Sequence, residues 1–576
     1  MENKKFKLCI TMAGAVSAGA YTGGVLDYLL ETLHLWEKAK VRNRELGENH
    51  PDYDHSIPMH DIEIDVISGA SAGGITGTIS LLSVLDENYQ YANESNPEGK
   101  NNLFYQSWVE MADDEKSNTL TKLLSTDDLE KVKKPEALLN TSAIEMIANK
   151  ALTINKAVKY PPYVSKNLDL ILTTTNLRGI NFKIDFSGIN DDSSSVITSH
   201  GGFLRYKVKN ELHDRGIPDD NKSLYYVLDL NEEQDIEYLR DATLSTAAFP
   251  IGLKPREIVI SKKYIQRYPK YLFGRRKGIS PIINDNEEAY KFNSIDGGLI
   301  NNEPFGIGLK ILKEKNPGIL KKDNYAVIMV DPFPNQDNTT LEPHNGRNII
   351  DVAKGMFKAL RNQVMFNQDG ILDALSLSDR TKFLIAPSRK QNINGVWRRS
   401  KNHLASYPIS GFAGFLDKSF RKHDFELGRK NCQAFLRYYF SVEKENIEKR
   451  LGEQVSKEAL ERFSYAYPPR DVNGKYYFPI IPDMKVKTAF DTSFLTDKYG
   501  NEADIPYPEY PSFSLQNFDR EYKSILRKRV RGIVKKLADN WFLYTGFKFL
   551  FQNKTYNYIK NTIAKELFDA DLLKNN

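Results

Sequence analysis

Cysteine is nearly absent: Cys9 and Cys432 are the only two in 576 residues. So sparse a pair forms no disulfide framework and no metal-ligand spacing, which sets aside secreted disulfide scaffolds, zinc modules and thiol redox chemistry. A reducing, cytoplasmic setting is expected, with no metal and no cofactor. Long apolar runs are missing too. No stretch approaches the ~18–20 uninterrupted apolar residues of a membrane-spanning helix, so lipid, if met, is met from outside. Charge of one sign is also scarce. Eighty Lys and Arg against 75 Asp and Glu leave +5, too slight a bias over this length to mark a nucleic-acid partner. There is no internal repeat.

At 40% hydrophobic and 27% charged, the chain reads as folded and water-soluble, and its length exceeds what one compact core usually holds. The N-terminus imitates a signal peptide, with Lys4 and Lys5 ahead of a small-residue run and Ala18-Gly19-Ala20 as a cleavage-like triplet. That run is rich in Gly, Ala, Ser and Thr rather than Leu, which suits a turn better than a signal.

Residues 6–12 read as a short buried strand, 14–19 as a glycine turn and 20–35 as a helix. A polar insert over 38–60 leads to a second such unit: strand 62–67, turn 69–73, helix 75–85. Two consecutive units predict a mostly parallel sheet. Further strands are expected at 168–174, 325–330 and 382–385. Residues 191–195 and 267–286 read as loops, and 335–343 as a turn-rich connection. Helices are predicted over 420–440 and 442–463, irregular coil over 465–513, and helix again from Asp519.

The strongest local signal is Gly69-Ala70-Ser71-Ala72-Gly73, between an apolar strand and an apolar helix. A serine on such a tight turn takes strained dihedrals, and small residues on either side let backbone and helix approach. The helix N-terminus beneath it stabilises developing negative charge. Second is Asp296-Gly297-Gly298, an acid at the end of an apolar segment with no bulk after it, placed to reach a serine on the same sheet edge. The same residues also suit an ordinary hairpin turn. Third is Gly14-Ala15-Val16-Ser17-Ala18-Gly19. Ala20 and Tyr21 stand where a phosphate loop needs Lys and Ser/Thr, so an NTPase is disfavoured, and the Rossmann fingerprint fails as well. The turn still offers backbone N–H groups of the kind a tetrahedral oxyanion requires.

Taken in chain order, glycine loop, serine elbow and then acid, the three features resemble the patatin-like phospholipases. Weaker similar blocks lie at 173–179 and at Ser245-Thr246-Ala247-Ala248-Phe249-Pro250. The resemblance spans about 6–335 and reaches toward 390; a segment over 420–436 is similar to one in longer bacterial members. It implies a three-layer α/β sheet with helices on both faces over 1–390, a helical and irregular region over 391–518, and basic amphipathic helices over 519–576. It also implies a Ser71–Asp296 dyad that cleaves phospholipid acyl esters through an acyl-enzyme. Gly69 and Gly73 would form the nucleophile elbow, Gly297 and Gly298 the turn after the acid, and Gly14, Ala15 and Val16 the oxyanion loop. The loop departs from the family pattern: Ala18 replaces a basic residue, and β-branched Val16 suits positive φ poorly.

Two other readings stand beside this one. A Ser-His-Asp hydrolase of a soluble ester would use His344, His403 or His423, although His423-Asp424 suits a structural pair better. A non-catalytic lipid-surface binder would use the tail, where residues 520–536 carry eight Lys/Arg against Glu521. There Leu526, Val530, Ile533, Leu537, Trp541 and Tyr544 share a face that Phe547, Phe549, Leu550 and Phe551 extend. Such a helix fits peripheral contact with an anionic bilayer, or docking on the body of the protein. Oligomeric state is not legible.

Overall fold

The computed structural model describes residues 5–152, 158–185, 194–220, 223–273, 279–284, 286–334, 380–452, 454–466, 476–486, 505–538 and 552–573. The strands are β1 (Phe6–Met12), β2 (Ile62–Gly69), β3 (Val164–Asp185), β4 (Ser194–Val208), β5 (Tyr226–Leu228), β6 (Arg256–Ser261), β7 (Ile279–Pro281), β8 (Ala289–Asp296), β9 (Tyr325–Val330) and β10 (Lys382–Ile385). The main helices are α1 (Gly19–Leu46), α2 (Ala72–Leu85), α3 (Ser142–Ala151), α4 (Glu233–Thr246), α5 (Lys262–Phe273), α6 (Phe305–Lys315), α7 (Lys418–Tyr438), α8 (Leu515–Leu537) and α9 (Gln552–Asp569).

Among the described residues these ten strands make the largest sheet, ordered β10-β9-β1-β2-β3-β4-β5, with β7 and β8 paired to β3 and β6 to β8. Side chains alternate across it. Cys9, Thr11 and Ser68 fall on one side of β1 and β2, Met12 and Ile67 on the other. Helix α6 covers the first set, since a Cβ on Gly308 would press on Cys9, Ser68 and Thr11; α2 covers the second, since one on Gly77 would touch Met12 and Ile67. Helices therefore lie on both faces, and the central strands are buried throughout.

The sheet is mixed rather than mostly parallel. From β10 to β3 the pairing is parallel, but β3 runs for 22 residues and pairs antiparallel with β4, β7 and β8. Only eight residues separate the end of β3 from the start of β4, fewer than the dozen or so a parallel crossover needs, so the two strands pair antiparallel. Helix α1 continues past residue 35 to Leu46. Apolar periodicity fades there because charge pairing replaces it: buried Lys40 lies 2.8 Å from both Glu37 and Asp61, and Arg44 2.8 Å from Glu37. Residues 267–273 are the end of α5 rather than loop. Buried Tyr264 and Tyr268 fix this helix by accepting from the backbone of Arg205 and Phe203. The helix predicted over 442–463 is broken. Ser441–Glu443 is a strand, Gly452 at φ +84 ends one short helix, and Ser456 caps the next. Within the expected coil, Tyr476–Pro479 pairs as a strand with Ser441–Glu443. Residues 186–193, 335–343, His344 and the aromatic run 541–551 lie outside the described residues.

Helix α7 shares its core with β1 and α1. The two helices cross closely at Gly24 and Gly428, where a Cβ would fall 1.9 Å from Phe425 O and 2.1 Å from Tyr21 O. Charges seal the contact. Buried Arg429 pairs with Asp27 and, at 2.5 Å, with Glu31; Tyr28 and Arg437 both reach Asp483, at 2.9 and 2.6 Å. Burial lowers Arg429 to about 9. A second cluster joins α8 and α9 to residues 405–420 and Leu124. The apolar face of α8 is turned inward: Phe518, Tyr522, Leu526 and Ile533 are buried. Buried Arg529 donates to Leu138 O at 2.9 Å and Ser125 O at 2.7 Å and pairs with Asp128. Over these residues that face is not free to enter a bilayer; Arg520, Lys523, Lys528 and Lys535 remain exposed.

Removing Arg429 would leave buried Asp27 without a cation among the described residues and Glu31 with Lys485 alone, at 3.2 Å. Arg429→Ala is expected to lower unfolding stability by roughly 3–5 kcal/mol. Denaturant titration checks this, and a midpoint equal to wild type would deny the network that role.

Candidate active site

Register brings two distant residues level. Gly69, the last residue of β2, pairs with Leu172 of β3, and Asp296, the last of β8, pairs with Thr174. The opposite edge of β3 is taken by β4. So β2 and β8 lie end to end along one edge, their carboxyl ends facing across a gap of one β3 residue, Thr173. Ser71 sits two residues beyond Gly69 and fills it. Its hydroxyl donates to Asp296 Oδ2 at 2.6 Å. Both residues are buried, and both line the same cavity.

The turn that presents Ser71 is strained. Ser71 takes φ +53 and ψ −126 ahead of α2, a conformation that costs on the order of 1–3 kcal/mol and persists only when its surroundings impose it. Its N–H donates to Thr246 Oγ1 at 3.1 Å. Gly73 lets the turn meet β1: a Cβ there would lie 2.4 Å from Met12 O and 2.7 Å from Ala13 O. Gly69 packs on the backbone of Gly73 with equally little room.

Asp296 is oriented from both sides. Its Oδ1 accepts from Gly298 N at 2.7 Å, leaving Oδ2 to Ser71. Its N–H donates to Ala248 O at 2.9 Å, and its carbonyl accepts from Thr175 Oγ1 at 2.8 Å. Gly297 lies against the backbone of Thr173. The blocks at 173–179 and 245–250 thus buttress the pair.

The first glycine turn lies against it. A Cβ on Gly14 would come within 2.8 Å of Ser71 Cβ. Gly14 N–H is committed to Asn302 O at 3.2 Å, whereas the N–H groups of Ala15 and Val16 have no acceptor among the described residues. Val16 adopts φ +51 despite its branched side chain. No motif assigns these roles to Thr246 or Asn302; membership of the 245–250 block and nearness to Asp296 are their only signals in the sequence.

Ser71, Asp296 and Val16 line a mainly apolar cavity. Its walls come from α2, α3, Trp108, Leu123 and Phe249, together with Phe412 and Phe415 from the C-terminal region. A cavity with such apolar walls suits a hydrocarbon chain. Neither described candidate histidine reaches Ser71. His403 accepts from Arg389 N at 3.2 Å, and burial, aided by Arg399 and Arg389, lowers it to about 4. His423 bonds Asp424 at 2.8 Å, and that carboxylate also accepts from Ala405 and Ser406 N–H. No cluster of three or more metal-ligating side chains occurs among the described residues.

Asp331 follows β9 directly, beside the glycine turn, since Ala13 N–H bonds Val330 O. Burial, reinforced by Glu303 and opposed by the Phe333 N–H bond, raises it to about 6. A carboxyl raised on folding contributes stability at low pH that is lost as pH climbs from the ordinary carboxylate range through about 6. Asp331→Asn should therefore raise unfolding stability by on the order of 1–3 kcal/mol at pH 8 and by little at pH 4. Melting curves at the two pH values test the sign. At the elbow, Gly73→Ala should cost about 1–3 kcal/mol through overpacking against backbone. Gly77→Ala, on the same helix but facing flexible side chains at 3.3 Å or more, should be near neutral.

Comparison with known proteins follows the same outline. The family model for patatin-like phospholipases matches residues 10–309. Over nearly its whole length the chain is similar to the uncharacterized protein y4iI of Sinorhizobium fredii, 27% identical over 617 residues, covering 99% of this chain and 82% of that one. Among solved structures, VipD from Legionella pneumophila aligns over 98% of this chain and 88% of its own at 11% identity. Its TM-score is 0.22, too low to argue from.

Proposed function

The chain belongs to the patatin-like phospholipase family, and from that premise we propose that it hydrolyses lipid acyl esters through a Ser71–Asp296 dyad. The observation that carries the reading is the 2.6 Å hydrogen bond from Ser71 Oγ to Asp296 Oδ2 in the wall of an apolar cavity.

The steps follow from the geometry. Ser71 Oγ attacks the ester carbonyl carbon as its proton passes to Asp296 Oδ2. The carbonyl oxygen becomes an oxyanion, met by the N–H groups of Ala15 and Val16 and by the N-terminus of α2. Each such donor is worth roughly 3–4 kcal/mol at the transition state. The tetrahedral intermediate collapses, the alcohol leaves with the proton held by Asp296, and Ser71 carries the acyl group. Water then attacks this ester, giving its proton to Asp296. Fatty acid leaves as Ser71 recovers its own. An aspartate is a weak base for an alcohol, so the short contact and the N–H donors must supply what an imidazole would. The acyl chain occupies the cavity, and the alcohol portion lies outside it.

Where the chain meets membrane, the exposed lysines and arginines of α8 supply an electrostatic contact with anionic lipid rather than an inserted apolar face.

Release of fatty acid from mixed phospholipid vesicles tests the dyad. Ser71→Ala and Asp296→Asn should each lower it by on the order of 10³-fold or more, as for residues acting as one catalytic unit. His403→Ala should leave it unchanged. Equal release from wild type and Ser71→Ala would remove Ser71 as the nucleophile.

A further inference from the structure

We propose that Ser17 is a positioning residue for this hydrolysis, clamping the glycine turn beside Ser71 to a strap of the C-terminal region, residues 404–417. The proposal rests on the dyad reading above and adds a group that does not touch substrate.

Ser17 is fully buried. Its N–H donates to Gly411 O at 3.1 Å, its hydroxyl donates to the same oxygen, and that hydroxyl accepts from Gly414 N at 3.1 Å. Three hydrogen bonds thus tie one residue to a turn 394 positions later. On the other side of the same turn, Gly14 is held by Asn302 O. Between these two fixed points lie Ala15 and Val16, whose N–H groups have no acceptor among the described residues. A branched residue at φ +51 does not hold that conformation unaided. The clamp at Ser17 supplies the constraint directly after it.

The strap is itself built under constraint. Ile409, Ser410 and Gly411 take φ of +58, +55 and +90 in succession. Gly411 sits so close to the turn that a Cβ would lie 2.9 Å from the Phe333 ring and 3.1 Å from Ala15 O. Helix α7 fastens both ends. Asp424 accepts from Ala405 N at 2.8 Å and Ser406 N at 2.9 Å, and Arg421 donates to Gly414 O at 2.8 Å and to Val109 O at 2.9 Å. The same strap carries Phe412 and Phe415 into the cavity wall, where Phe412 packs edge-on to Phe249 at 5.2 Å. Residues well beyond the family match at 309 therefore set the turn that faces Ser71.

The test uses the full chain, a water-soluble short-chain aryl ester and an alkyl trifluoromethyl ketone. The ketone carbon forms a bond to Ser71 Oγ, the hydroxyl proton passes to Asp296, and the carbonyl oxygen becomes an oxyanion in place of the substrate's. Ser17→Ala should lower kcat by about 10–100-fold, with KM changed less than about threefold, and weaken the ketone by the same factor as kcat. Ser17→Thr, which keeps the hydroxyl, should restore most of both. Wild-type kcat and ketone affinity in Ser17→Ala, even with a lowered melting temperature, would overturn the proposal by making the residue merely structural. If Ser17→Ala does not fold, Ser17→Cys carries the same reading, since a thiol fills the space but hydrogen-bonds weakly: a tenfold loss supports the clamp and wild-type kcat refutes it. Ser71→Ala run alongside separates the two claims. If it hydrolyses the ester normally, the dyad and the clamp both fall; if it is inactive while Ser17→Ala is normal, only the clamp falls.

Discussion

One long strand governs the geometry. Along a single edge, β3 is paired first by β2 running parallel and then by β8 running antiparallel, so two carboxyl ends point at each other across the width of a turn. Strand pairing is strict about register because a slip of one residue turns every side chain to the wrong face. Here that strictness acts on Ser71 and Asp296, which no local interaction could bring together across 225 residues. The strained turn at Ser71, the Thr246 bond beneath it and the Gly298 bond to Asp296 refine a meeting that the sheet has already arranged.

This explains what could be read from the chain alone. The strands Tyr325–Val330 and Lys382–Ile385 fall where their apolar runs predict, and β1 and β2 where the two strand-loop-helix units require. Gly69, Ser71 and Gly73 were legible because a tight turn between strand and helix has few chemical solutions. Asp296 was readable as an acid before a glycine pair but equally as a hairpin, and only the pairing of Thr174 with it separates the two. Helix α1 beyond residue 35 was hidden because its buried side there is charged, and pattern reading counts only apolar spacing. The antiparallel half of the sheet was hidden because it depends on which way the chain turns after β3. Thr246, Asn302 and Ser17 carry no spacing signal for their roles; each matters through hydrogen bonds to residues far along the chain.

The C-terminal third is built into the rest of the molecule at two levels. Helix α7 enters the same core as β1 and brings Arg429 to the acids of α1. Helices α8 and α9 form a second cluster over residues 405–420 and against Leu124. The basic tail that suggested a membrane helix is thereby explained in part by protein packing: Arg529, the most deeply buried of its cations, serves the backbone of residues 125 and 138.

The pairing of Asp27 with Arg429 has a temporal side. The two are separated by 402 positions, so at ~5–20 residues per second the ribosome delivers the arginine roughly 20–80 s after the aspartate. During that interval the nascent α1 carries carboxylates that must stay hydrated, and its face toward α7 has nothing to rest on. The contact between α1 and α7 therefore cannot close until Arg429 has been made, and a chain arrested before that residue carries α1 without its counter-ion.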